Sequence, residues 1–364
     1  MLVKSAVVQG SGHPIIVKDV NLSDPKNDEV LIRVVGSGLC HTDLAVKSGR
    51  IHSHYPVALG HEGAGIIEKV GSGITEFAPG DHVVVSFPYC DRCKNCLTGH
   101  PASCNSAFEL SFGGKMQDGT SRLSDENGQE IGSLFGQASL STYIVTNKNN
   151  LVKVDKDLDL KLLGPLACGI QTGAGTVLNK LKPSPGDCIV VFGCGGVGMS
   201  AIMAAKILNC KQIICVDILD ERLELAQELG ATHILNGKKL NVVEEVKSIT
   251  NGGADYAVES AGNSLLVKQA IASVRAGGII AVVGGSGETT LNIHDDLIAV
   301  NKTIMGVVEG DSIPALFIPK MIDLYKKGLF PFQKLIKTYT LNQLEKALED
   351  MQNGNAIKPV IIFE

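Results

Sequence analysis

A two-part α/β protein is the fold class this sequence predicts: a β-rich, barrel-like domain joined to a doubly wound parallel sheet. Three observations carry that expectation. The chain has 364 residues, more than one ordinary core fills, so two domains are the default. Residues 1–160 are short apolar runs broken by Gly, Pro and Asp, without helical segments between them. After about residue 170 the rhythm changes to strands alternating with helical runs, the pattern of a parallel sheet covered by helices.

In the first part, Glu29-Val-Leu-Ile-Arg-Val-Val35, Gly63-Ala-Gly-Ile-Ile-Glu-Lys-Val70 and His82-Val-Val-Val-Ser86 read as strands of an antiparallel barrel or sandwich. Ala107 to Ser139 is polar, Gly-rich and without period, which predicts a long surface excursion. In the second part, Cys188-Ile-Val-Val-Phe-Gly193 reads as a buried strand and Val197 to Leu208 as a helix. Gln212 to Asp217 is then a strand, Glu221 to Leu229 a helix, and Tyr256–Glu259 and Gly278–Gly284 further strands. Ile313–Lys327 and Leu341–Gln352 are helical, and Lys358–Phe363 closes the chain as a strand. The boundaries expected are 1–169 with 306–364 for one domain, carrying a lobe near 90–104, and 170–305 for the other.

The lobe is Cys90-Asp-Arg-Cys93-Lys-Asn-Cys96, closed by Cys104 after seven further residues. The intervening Asp91, Arg92, Lys94 and Asn95 belong at the surface, so these thiols cannot all be packed hydrophobes. Their density suits a closed tetrahedral zinc site that shapes the lobe and does no chemistry. Disulfides would need an oxidising compartment. An iron–sulfur cluster would use a shorter last gap followed by proline, where Asn105 follows Cys104 here.

Gly193-Cys-Gly195-Gly196-Val197-Gly198 matches Gly-x-Gly-x-x-Gly, a weak signal among 41 glycines. Its context strengthens it: a strand precedes, a helix follows, and Asp217 ends the next strand 19 residues after Gly198. The glycines permit a tight turn and close approach of a pyrophosphate to a helix N-terminus. Asp217 can accept from both adenosine ribose hydroxyls and would repel a 2′-phosphate, which favours NAD over NADP; Arg222 could lie beside that ribose. An ordinary tight turn with a capping aspartate is the competing reading.

Composition excludes other classes. A net charge of −5 and a pI near 6.0 give no basic face, so nucleic acid is not expected. No stretch approaches a membrane span. The N-terminal Met-Leu-Val-Lys-Ser-Ala-Val-Val alternates like a strand and lacks a signal core, so a cytoplasmic chain with all ten cysteines reduced is expected.

Three further segments hold potential ligands beside glycines. They are Gly36-Ser-Gly-Leu-Cys40-His41-Thr42-Asp43, Gly60-His61-Glu62-Gly-Ala-Gly65 and Gly164-Pro-Leu-Ala-Cys168-Gly-Ile-Gln-Thr172-Gly173. Spacing alone does not join them, and a lone buried Cys or His is more often packing than ligation. Together with the cysteine run and the glycine fingerprint, in this order over nearly the whole chain, they resemble the zinc-dependent medium-chain alcohol dehydrogenases. That resemblance implies a catalytic zinc held by Cys40, His61 and Cys168, the Cys₂His set of that family, hence two zinc ions per chain. It also implies a carboxylate at Glu62 behind the metal, with Asp43 orienting His61. Thr42 would hydrogen-bond the alcohol oxygen and start the proton's exit. Thr172, Ser260, Ala261 and Val283 would face the coenzyme, with His41 and Lys358 near its pyrophosphate. Zinc supplies Lewis acidity and NAD accepts hydride, reversibly.

One position departs from the pattern. Some members carry a relay histidine five residues after the first zinc cysteine, and here that residue is Ala45. His13, His52, His54, His100, His233 and His294 have no motif around them and read as solvated. The 162–174 segment, Cys40 to Leu44 and Gly306-Val-Val-Glu-Gly310 look most like bacterial aryl-alcohol (benzyl-alcohol) dehydrogenases, whose substrate needs an apolar slot; Phe87 and Tyr89 could line it or belong to the core. A primary aliphatic or allylic alcohol is the runner-up, and a glutathione-adduct substrate stands behind it. A different class, a nucleotide-binding redox sensor or zinc-free reductase, would lack the ligand triad. The family resemblance implies a homo-oligomer, dimer or tetramer.

Overall fold

The structure is a computed structural model that describes residues 1–285 and 287–363. The chain divides into two compact units. One comprises Met1–Cys168, Ile313–Lys320 and Gln333–Glu364, the other Gly169–Ser312 and Met321–Phe332.

In the first unit, strands Leu2–Val8, Ile15–Leu22, Leu123–Ser124, Glu130–Ser133 and Val57–Ala58 close a barrel. A seven-stranded sheet accompanies it, in the order Leu151–Val154, His82–Val85, Gly63–Val70, Glu29–Gly38, Lys358–Ile362 and Ile336–Thr340, with Tyr143–Asn147 paired to Glu29–Gly38 off that path. The C-terminal strand thus runs antiparallel against Glu29–Gly38, Val360 opposite Gly38. Val30, Ile32, Leu59, Ile67, Val83, Leu134, Leu140 and Ile361 fill the core. Each such side chain contributes about 1.5–3 kcal/mol when fully buried.

The expected surface excursion at 107–139 is corrected here. Ile131 to Ser139 is buried, supplying a barrel strand and the turn Leu134–Gly136. Its polarity misleads because the polar groups are satisfied inside: Ser139 Oγ accepts from Ser37 Oγ at 2.9 Å, and the Gln137 amide donates to three backbone carbonyls.

The second unit carries a six-stranded, fully parallel sheet in the order His233–Asn236, Gln212–Asp217, Cys188–Phe192, Ala254–Glu259, Val274–Val282, Thr303–Gly306. The strand order reverses at Cys188–Phe192, whose carboxyl end is the switch point where such sheets take ligands. Helices Val242–Thr250 and Ser264–Ser273, and the helical run Gly169–Leu181, join those read from sequence. Among the described residues no helix is long and apolar enough to cross a membrane.

Candidate metal centres and dinucleotide cradle

Cys40 sits where strand Glu29–Gly38 hands over to helix His41–Lys47. His61 follows Gly60, whose φ of 97° lets the chain turn into strand Gly63–Val70. Cys168 follows the short turn Gly164–Ala167, fixed by Ser86 Oγ donating to Ala167 O at 3.0 Å. Asp43 ties two of these segments together. Its Oδ2 accepts from Cys40 N and its Oδ1 from Gly60 N, both at 3.0 Å, while His61 Nδ1 lies 3.4 Å from Oδ1. Phe135 stacks on the imidazole at 4.6 Å between ring centroids.

The result is one cluster. Ligand atoms of Cys40, His61, Glu62 and Cys168 all lie within 4.8 Å of one another. Glu62 is fully buried and receives the Lys358 ammonium at 2.8 and 3.0 Å; Lys358 also donates to Leu39 O at 3.1 Å. The Cys168 thiol holds Cys40 well below the ordinary thiol range against burial, and His61 and Lys358 add to the effect. Burial opposes charge on His61, but Asp43 and then Cys40 outweigh it and raise its pKa. Burial pushes Glu62 up while Lys358 opposes. Lys358 is raised despite burial, first by Glu62 and then by Cys40.

The residues fit a metal. His61 Nε2 is buried without a hydrogen-bond partner beside two thiols, a donor set a zinc ion would satisfy. Thr42 Oγ1 lies 3.6 Å from Cys40 Sγ, so a hydroxyl stands at the cluster. Ala45 is buried in the core and leaves the relay position aliphatic.

Cys90, Cys93, Cys96 and Cys104 form a second cluster within the same 4.8 Å. Cys93 and Cys96 sulfurs are 3.5 Å apart and Cys90 and Cys96 4.0 Å. Thiolates about 2.3 Å from a tetrahedral metal stand about 3.8 Å apart. Backbone N–H groups point at the sulfurs, Asn105 N at Cys93 and Cys90 N and Ser106 N at Cys104. The Asn105 and Cys96 amides hold the Cys93 thiol down to about 6, while burial, with Cys93 and Cys104, pushes Cys96 up to about 12.

In the second unit the fingerprint turn leaves strand Cys188–Phe192 through Gly193, at φ 93°. A Cβ on Gly198 would lie 1.8 Å from Gly193 O, so the turn admits no side chain there. Open space lies over Gly195, and helix Gly196–Ile207 starts at it. Asp217 is nearly buried; its Oδ2 accepts from Cys194 N at 2.7 Å and its Oδ1 from Ile218 N at 2.7 Å and Leu219 N at 3.1 Å. Oδ1 already holds two donors, so it is Oδ2, with one, that keeps an acceptor site for a ribose hydroxyl. Arg222 Nε is buried without a hydrogen-bond partner. Thr172 Oγ1 lies 3.4 Å from the buried Glu309 carboxylate, which also accepts from Gln171 at 3.2 Å. His41 and Ala261 are exposed; Ser260, Gly196, Val197 and Val283 are half-buried.

Two expectations change. The ten cysteines are not all thiols: Cys194 and Cys215 are disulfide-bonded. Neighbouring parallel strands bring the fingerprint turn beside the residue two before Asp217, a proximity that a sequence separation of 21 does not announce. Of the histidines expected at the surface, His233 is half-buried, with Nδ1 2.9 Å from Thr232 Oγ1. Phe87 is buried in the core and Tyr89 packs against it. Phe135 and Gln137 carried no sequence signal, and nothing in the sequence set Glu309 beside Gln171 or Glu62 beside Lys358.

Residues 26–156 match the alcohol dehydrogenase GroES-like domain, and residues 196–327 match the zinc-binding dehydrogenase family. A geraniol dehydrogenase from Castellaniella defragrans is 40% identical, the alignment covering 99% of this chain and 97% of that protein. The crystal structure of benzyl alcohol dehydrogenase from Acinetobacter calcoaceticus superposes with a TM-score of 0.96 at 41% identity, covering 100% of both chains. An S-(hydroxymethyl)glutathione dehydrogenase from Paracoccus denitrificans is 32% identical over 100% of both. The chain belongs to the zinc-dependent medium-chain alcohol dehydrogenase family, and it is an oxidoreductase of that class.

Proposed function

We propose that the protein oxidises a primary aromatic alcohol of the benzyl type to its aldehyde, reversibly, with NAD taking the hydride. The observation that carries the zinc chemistry is the convergence of Cys40, His61 and Cys168 with Glu62 on one buried point, and the aromatic substrate is read from the likeness to the Acinetobacter benzyl alcohol dehydrogenase. Cys40, His61 and Cys168 would hold the zinc, which when bound supplies Lewis acidity to the alcohol oxygen. Glu62, restrained by Lys358, keeps a carboxylate behind those ligands, and Asp43 fixes the two chain segments that carry Cys40 and His61. Thr42 would take the proton from the alcohol, and with Ala45 at the relay position that proton leaves by a route other than a histidine there. The Cys90–Cys104 quartet would hold a second, structural zinc.

NAD is favoured by Asp217, whose carboxylate sits at the turn where a 2′-phosphate would approach. An allylic alcohol is the second reading, because the Castellaniella relative acts on geraniol by its name. Both substrates place the carbinol carbon beside an unsaturated one. We also propose a homo-oligomer, dimer or tetramer: strand Thr303–Gly306 ends the sheet with a partner strand on one side.

An NAD-reduction screen over benzyl, cinnamyl, geranyl, saturated aliphatic and hydroxymethyl-glutathione substrates tests the reading. The highest kcat/KM is expected with benzyl alcohol; a saturated alcohol ahead of both unsaturated classes would overturn it.

A further inference from the structure

The sheet's two halves flank the fingerprint turn. Asp217 ends the strand on one side of Cys188–Phe192, and Glu259 ends the strand on the other, opposite Phe192 and Val282. A dinucleotide laid across this switch point puts its adenosine ribose on the Asp217 side, which leaves the Glu259 side for the other nucleotide half.

Glu259 is fully buried, and its main chain and side chain hold the loops there. Its Oε1 accepts from Ala261 N at 3.0 Å, Gly262 N at 2.9 Å and Asn263 N at 3.3 Å. Its carbonyl accepts from Val283 N at 2.8 Å and Gly284 N at 3.0 Å. The adjoining Ser260 fastens the same loop to the fingerprint: Oγ donates to Phe192 O at 3.0 Å and to Gly193 O at 3.1 Å. Glu259 Oε2 is buried without a hydrogen-bond partner. A buried carboxylate with an oxygen left over is costly, and burial pushes this one up despite its amide donors. A residue of this cost at the carboxyl end of a central strand calls for a role beyond packing.

We propose that Glu259 is a positioning residue for the nicotinamide half of the coenzyme, holding the 260–263 and 283–284 loops in the shape that half requires. The assignment rests on the dinucleotide reading given above. It is distinct from the direct contacts expected of Ser260, Ala261 and Val283, because the carboxylate acts through the amides of its own loop.

The test separates the two halves of the ligand. In the zinc-loaded protein, NADH is titrated by fluorescence and AMP by calorimetry, for wild type, Glu259→Gln and Glu259→Asp. Glu259→Gln keeps the shape but loses the charge that draws the loop amides together; Glu259→Asp keeps the charge but falls one carbon short. Both are expected to bind NADH about tenfold more weakly while AMP changes by less than about twofold. Asp217→Ser, on the adenosine side, should weaken AMP and NADH together while the melting transition stays in place. Wild-type NADH affinity in Glu259→Gln would overturn the assignment. So would parallel loss of NADH, AMP and the melting transition in both variants, which would make Glu259 a core residue of the sheet. A wild-type protein that binds neither NADH nor AMP would sink the dinucleotide reading itself, and this assignment with it.

Discussion

The two thiol clusters of the first unit are built by opposite means. Cys90 to Cys104 comes from one loop, offers sulfur alone, and leaves Cys93 and Cys96 half-exposed; its backbone amides do the orienting. Cys40, His61, Glu62 and Cys168 come from three separate segments, mix sulfur, nitrogen and oxygen, and have an ion pair buried behind them. A closed all-sulfur cage suits a metal that only holds chain together, whereas a mixed set of three strong ligands with a carboxylate held back by an ammonium suits one that must accept a substrate. Breaking one cluster should therefore cost shape, and breaking the other should cost chemistry.

The sharpest way to break that contrast is to exchange one sulfur in each. Cys168→Ser is expected to lower kcat/KM by about a thousandfold or more, because it removes a ligand of the Lewis acid, with NADH affinity and the thermal midpoint nearly unchanged. Cys93→Ser is expected to release one zinc per chain and lower the thermal midpoint by about 10 °C or more, since structural-zinc binding is folding free energy. Metal analysis, steady-state kinetics and calorimetry on both variants decide it. If Cys168→Ser kept most of its turnover, the division of labour between the clusters would be wrong.

How legible each cluster was follows from the same contrast. The lobe could be read from spacing because its four cysteines fall within one stretch, where proximity in sequence is proximity in space. The other cluster could be approached only through resemblance, since folding alone brings Cys168 to Cys40. The Glu62–Lys358 pair joins positions 296 residues apart: the resemblance sets Lys358 near the pyrophosphate and Glu62 behind the metal, but nothing in the sequence joins the two until Leu39 O and Glu62 are seen around the ammonium. The parallel sheet was legible because its buried strands are continuous apolar runs. The 131–139 segment reads as surface because Ser, Gly and Gln are polar, but their burial depends on hydrogen-bond partners from distant strands.

The buried ion pair gives the next, smaller effect. Lys358→Met strips the ammonium from a fully buried carboxylate and is expected to cost about 3–5 kcal/mol of stability. Denaturant unfolding measures that cost. Because Lys358 also enters the cofactor expectation, the kinetics are read alongside: lost stability with NADH affinity unchanged would place its role on Glu62 alone. A variant as stable as wild type would show that Glu62 is neutral there and that the pair does not restrain it.

The smallest effect tests whether metal or protein closes the lobe. Asn95 lies between the ligands, and its Nδ2 donates to Ser103 O at 2.6 Å and to Asn105 Oδ1 at 3.1 Å, lacing the Cys93–Cys96 turn to the Cys104 end. Both bonds are exposed and uncharged, so Asn95→Ala should cost only about 0.5–1 kcal/mol. If four sulfurs on one metal hold the loop, that loss leaves two zinc per chain and shifts the thermal midpoint by about 3 °C or less. What should change is kinetic, because a loop freed of its lacing opens more often, and release of the lobe zinc to a chromophoric chelator should quicken by about two- to fivefold. Turnover, which depends on the other cluster, should not move. Should Asn95→Ala instead lose a zinc as Cys93→Ser does, the side-chain lacing would be what shapes the lobe and the metal would merely follow it.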